Sequence, residues 1–117
     1  MGEDDAIPPQ LQEQLQRLQQ LQQTLQAVVA QRQQLELESA EIDRALGELE
    51  KLPDDSTVYK SIGSILVKTS KAEVVADLQE RKALCTTRVS ILQRQQSRAD
   101  ERIRELQQSI QARLKSV

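Results

Sequence analysis

The apolar residues of this chain fall into three blocks with different periods. In the first, about residues 9–52, they stand at Leu11, Leu15, Leu18, Leu21, Leu25, Val28, Leu35, Ile42, Leu46 and Leu49. From Leu21 onward the steps alternate four and three, with Arg32 and Ser39 in the polar slots of the frame. That is the period of a coiled-coil seam. Leu15, Leu18 and Leu21 stand three apart twice in a row, which predicts a stammer, a local overwinding of the supercoil. Pro8 and Pro9 suit the first turn of a helix, where backbone N–H groups lack helical partners anyway. Pro53 ends the block, because the residue before a proline is pushed out of helical geometry.

The last block, about residues 71–115, contains no Gly or Pro. One seam position reads Val75, Lys82, Val89, Gln96, Ile103, Ile110, Val117; the other reads Leu78, Cys85, Leu92, Ala99, Leu106, Arg113. Leu84, Ile91 and Leu114 are expected to widen this stripe. Ser70-Lys71-Ala72-Glu73 has the form of a capping box, with Ser70 as the cap and Glu73 reaching back. Two helices of such similar length, each roughly 65–70 Å long at 1.5 Å per residue, are expected to fold back on each other as an antiparallel pair. The register that follows pairs Leu49 with Val75, Leu25 with Ala99 and Leu18 with Leu106.

Between the helices, about residues 56–69, the pattern changes. Val58, Tyr59, Ile65 and Val67 are strand formers. Ile62-Gly63-Ser64 supplies a turn in which Gly63 can take positive φ. The expectation is a hairpin with strands near Thr57–Ser61 and Ile65–Thr69. The fold class is therefore mainly α, a long antiparallel two-helix coiled coil joined by a single β-hairpin, one domain over residues 1–117. A lone two-stranded hairpin is marginal in water. With Val58, Tyr59, Ile62, Ile65, Leu66 and Val67 on it and no third strand in the sequence, its edges invite pairing with other chains. The sequence thus points to a subunit of an assembly.

Composition sharpens this picture mostly by exclusion. The chain has 117 residues, no Trp, Phe or His, one Tyr and one Cys, and a formal net charge of −2. Without large aromatics, Leu, Ile, Val and Ala must supply the burial. The mixed charges give no basic stripe for nucleic acid. No apolar run is long enough to span a bilayer, and residues 1–9 lack a signal pattern. A single cysteine forms no internal disulfide, which agrees with a reducing, cytoplasmic compartment. The commonest general base and metal ligand is missing, as are a cysteine zinc cluster and a phosphate loop. The chain is expected to be no enzyme and to use no cofactor or metal. Asp54-Asp55 reads as a solvated turn, Cys85 as a small buried side chain, and the Gln-rich first helix as a solvated face. At the far ends of the helices, Leu15, Leu18, Ile103 and Leu106 read as core. The outermost group, Ile7, Leu11, Ile110, Leu114 and Val117, is the better candidate for a contact surface, because an exposed apolar cluster marks an interaction site.

The stretch from Val58 to Lys68, set between two equal helices, resembles prefoldin, most closely the β-type subunit in its archaeal form. The resemblance extends to Leu78-Gln79-Glu80-Arg81-Lys82 and to Leu106-Gln107-Gln108-Ser109-Ile110-Gln111. The single hairpin matches the β type, since the α type carries two. The resemblance implies an ATP-independent holdase, a hexamer of two α-type and four β-type subunits. Their hairpins would form a double β-barrel platform, and the coiled coils would hold non-native proteins at their tips and pass them to a group II chaperonin. It implies platform roles for Val58, Tyr59, Ile62, Gly63, Ile65, Leu66 and Val67, and tip roles for Ile7, Leu11, Ile110, Leu114 and Val117. Glu3, Asp4, Asp5 and Lys115 are the charged tip residues available to a chaperonin, without individual assignment. The chain stops at Val117, soon after the helix, which puts tail-dependent client contact in doubt. The alternative is a structural or tethering coiled coil without chaperone activity. A helical arm of an enzyme is a third reading, disfavoured because no catalytic domain accompanies it.

Overall fold

The computed structural model describes residues 7–116. Helix α1 spans Pro9–Glu50, strand β1 Thr57–Ile62, strand β2 Ile65–Ser70 and helix α2 Lys71–Lys115. The described chain divides into two compact units, one reaching Gln31 and resuming at Ile91, the other Arg32–Ser90.

In the first unit the buried apolar side chains are Leu11 and Val28 of α1 and Leu92, Ala99, Ile103 and Ile110 of α2. Two hydrogen bonds fix the antiparallel register here. Gln14 Nε2 donates to Ser109 Oγ at 2.9 Å, and Arg113 donates to Gln10 Oε1 at 2.6 Å. Both lie within one residue of the register that pairs Leu18 with Leu106. The shielded positions of α1 run Leu11, Gln14, Leu18, Leu21, Leu25 and Val28, an unbroken alternation of three and four. The expected stammer is therefore absent. Gln14 fills the seam slot and Leu15 turns outward at 39 % exposure. A continuous heptad keeps both helices at one supercoil pitch, and the cost falls on Gln14, whose Oε1 is buried without a hydrogen-bond partner.

In the second unit the frame continues through Arg32, Leu35, Ser39, Ile42, Leu46 and Leu49, all shielded, against Val75, Leu78, Lys82, Cys85 and Val89 of α2. Ile42 and Cys85 are the most buried. The polar seam residues are paired at the seam edge, although Arg32 Nε itself is buried without a hydrogen-bond partner. Lys82 pairs with Asp43, Arg81 bonds Glu38 at 3.3 Å across the helices, and Arg32 bonds Glu36 at 3.1 Å one turn on. Long basic side chains can lay their stems along the seam and keep their charge in water.

Leu84, Ile91 and Leu114 do not widen the buried stripe; all three are exposed. A pair of helices covers only the two seam positions of each heptad, and flanking positions need a further helix to be buried.

The junction between α1 and the hairpin is tightly bonded. Lys51 and Leu52 donate to Glu48 and Leu49 three residues back, the tightening usual at a helix end. Ser56 N donates to Pro53 O at 3.1 Å and closes a turn over Asp54 and Asp55. Lys71, the first residue of α2, donates from Nζ to the Leu52 carbonyl at 2.7 Å and to Asp54 at 3.3 Å. The opening of α2 thus supplies a cation to the turn that follows α1.

Candidate assembly and contact surfaces

The hairpin is a two-stranded antiparallel sheet that pairs Thr57 with Ser70, Val58 with Thr69, Tyr59 with Lys68, Lys60 with Val67, Ser61 with Leu66 and Ile62 with Ile65. Each strand runs one residue longer than its expected range. Gly63 has φ of 60° and Ser64 does not, so the two-residue loop has the form of a type II′ turn, with glycine first. Any other residue would be strained at that φ, although a Cβ there would meet nothing within 4 Å.

Alternation along the strands gives two faces. One carries Val58, Lys60, Ile62, Ile65, Val67 and Thr69, and only the Val58–Thr69 pair at its base is half-buried. From this face Lys60 reaches Asp77 of α2 at 3.1 Å. The other carries Thr57, Tyr59, Ser61, Leu66, Lys68 and Ser70, all exposed. Leu66 is 70 % exposed and Ile65 64 %. Every expected platform side chain is therefore accessible except Val58, which is half-buried against the chain's own base. The sheet has two strands among the described residues, so both edges are open.

The base of the hairpin is held to α2 by its cap. Glu73 N–H donates to Ser70 Oγ at 3.2 Å, as the capping box predicts. The return contact differs: the Glu73 carboxylate accepts from Thr69 Oγ1 at 2.7 Å. Ser70 is both the last residue of β2 and the cap of α2, so strand passes to helix with no loop between them.

At the other end of the helices the expected contact group divides. Leu11 and Ile110 are buried in the seam at 6 % and 7 % exposure, whereas Ile7 and Leu114 are exposed. Val117 and the acidic Glu3, Asp4 and Asp5 lie outside the described residues. Leu15, expected in the core, joins the exposed set. The signal that could have found it is the spacing from Leu11, which puts residue 14 rather than residue 15 in phase with Leu18.

The lone cysteine, Cys85, is free and buried. Burial pushes the Cys85 thiol pKa up, and the Glu38 carboxylate beside it adds to the shift, against smaller opposing effects of Arg81 and Arg88. A thiol held protonated is a poor nucleophile. Among the described residues no group of His, Cys, Asp and Glu could hold a metal ion, and no helix is long and apolar enough to cross a membrane.

Comparison with known proteins agrees with this architecture. The family described as Prefoldin subunit matches residues 12–116. The chain is 44 % identical over 109 residues to the prefoldin subunit beta of Thermococcus kodakarensis, covering 93 % of each chain. It is 46 % identical over 111 residues to that of Archaeoglobus fulgidus, covering 95 % of this chain and 93 % of the relative. The crystal structure of the prefoldin beta subunit from Thermococcus strain KS-1 superposes with a TM-score of 0.84 at 44 % identity, over 93 % of this chain and 96 % of that one. With the hairpin in the same place between two such helices, the chain belongs to the prefoldin family and is of its β-subunit type.

Proposed function

We propose that this chain is an ATP-independent holdase subunit, working in the cytoplasm in a hexamer of two α-type and four β-type subunits. Prefoldin subunits are chaperone subunits that assemble with one another. The observation that carries the finer reading is the hairpin with open edges and with Tyr59, Ile62, Ile65, Leu66 and Val67 exposed on its two faces. Val58, Tyr59, Ile62, Ile65, Leu66 and Val67 would be covered by hairpins of other subunits in a closed β platform, with Gly63 setting the turn. Burying them would remove the edge-strand hazard. At the opposite ends, Ile7 and Leu114, with Val117, would offer weak, non-directional apolar contacts suited to many clients. Leu11 and Ile110 would join them only where the outer seam opens. Several tips on one platform would add avidity without strong single contacts, and a group II chaperonin would receive the client.

The test mixes this chain with an α-type partner and reads the mass of the complex under native conditions. A hexamer is expected, and Ile65→Asp with Val67→Asp should abolish it. The complex should also suppress aggregation of a diluted unfolded protein without ATP. Removing residues 1–11 and 110–117 should weaken that suppression while assembly persists. A mixture that stays monomeric or dimeric and holds no client would favour the tethering alternative.

A further inference from the structure

The first unit carries an open groove of about 590 Å³ on one flank of the helix pair. Leu21 and Leu106 give it an apolar floor, and Arg17, Arg102, Glu105 and Ser109 line it. Arg17 comes from α1 and Arg102 from α2, so two guanidinium groups border one groove from facing helices. The second unit places Arg81 against Glu38 and Lys82 against Asp43 across its helices, whereas among the described residues neither Arg17 nor Arg102 makes an ion pair across the helices. The contact of Arg17 to Glu13 is long, 3.7 Å, and both side chains are mostly exposed. Arg102 makes no ion pair among the described residues, although Glu105 shares the groove and leaves the six lining residues a net charge of +1. A carboxylate brought in by a ligand would be shared by the two arginines, whose planar forks suit it.

We propose that this groove binds an extended segment of a non-native polypeptide in which a carboxylate stands beside an apolar side chain. The apolar side chain lies on Leu21 and Leu106, and the carboxylate lies between Arg17 and Arg102. The inference rests on the holdase reading and adds a chemical preference to it, since contact with the tips alone would not select acidic clients.

The test uses the assembled complex and two labelled twelve-residue peptides, one alternating Leu and Asp, the other Leu and Asn, read by fluorescence anisotropy. At low salt the Asp peptide is expected to bind roughly fivefold tighter, the scale of two exposed ion pairs, and the preference should shrink as salt rises. Arg17→Gln with Arg102→Gln should bring the ratio to one and leave Asn-peptide affinity unchanged. Arg17→Glu with Arg102→Glu should reverse the preference toward a Leu–Lys peptide. Helix content by circular dichroism confirms that the variants fold. An Asp preference that survives both variants overturns the proposal, as does equal binding of the two peptides by the unaltered complex. Tighter Asp-peptide binding after removal of residues 1–6 would also overturn it, by making the acidic Glu3-Asp4-Asp5 of the chain itself the occupant. Suppression of aggregation is measured in parallel. An unaltered complex that prefers the Asp peptide but suppresses no aggregation counts against the holdase reading, and one that suppresses aggregation without preferring the Asp peptide counts against the groove.

Discussion

Gln14 gives the sharpest test of how the helices pair. Its side chain occupies a seam slot where the sequence invites Leu15, and its Oε1 is buried without a partner. In Gln14→Leu the unsatisfied acceptor disappears, a gain of about 1–2 kcal/mol. A partly buried leucine adds about 1 kcal/mol. Against this stands the lost 2.9 Å bond to Ser109, about 1 kcal/mol. Ser109 is exposed and regains water, so it leaves no new penalty. The net expectation is a stabilisation of about 1–2 kcal/mol, or a rise in Tm of roughly 4–8 °C for a chain of this size. The companion Leu15→Gln should lose under about 1 kcal/mol, because little of that side chain's burial is at stake. Thermal and urea unfolding followed by circular dichroism at fixed protein concentration measure both. If Leu15→Gln proves strongly destabilising and Gln14→Leu neutral, Leu15 lies in the seam, the stammer exists and the continuous frame is wrong. In the assembled complex, Gln14→Leu should also weaken client holding if opening of the outer seam exposes Leu11 and Ile110.

Three further outcomes follow from the base of the hairpin and the seam. Lys71→Met keeps the stem and removes the ammonium that bonds the Leu52 carbonyl; it should cost about 1.5 kcal/mol in urea unfolding, while Asp54→Asn, at a fully exposed partner, should leave stability unchanged. Ser70→Ala removes the cap of α2 and should cost about 1 kcal/mol, with Ser70→Asp restoring it. Cys85 should resist a thiol-specific disulfide reagent in the folded chain at pH 8 and react promptly in denaturant. Because its folded pKa is raised, the unfolded state loses its proton first, so stability should hold below the ordinary thiol range and fall as pH climbs through it; a Cys85→Ala variant should lack that fall.

Much of this protein is legible in one dimension. A seam is local: the three-and-four spacing from Leu21 to Leu49 and from Val75 to Ile110 names the buried face of each helix without knowledge of its partner. The hairpin is local too, since Gly63 stands between two runs of strand formers; only the pairing of Ile62 with Ile65 shortens the turn from the three residues the sequence suggests to two. Ser70 announces the start of α2 by its own side chain. What the sequence left open is whatever depends on the second helix. Leu15 and Gln14 compete for one slot, and leucine wins on hydrophobicity alone; the register set by Ser109 and by continuity with Leu11 decides for Gln14, because one buried acceptor left without a partner costs less than overwinding both helices. Leu84, Ile91 and Leu114 look like core on a wheel, yet two helices have no third surface with which to cover them. The division of the tip is of the same kind: Ile7, Leu11, Ile110 and Leu114 are equally apolar as residues, and only the pairing of α1 with α2 buries the middle two and leaves the outer two exposed. Composition and period set what each residue could do, and facing partners set which residues remain free to do it.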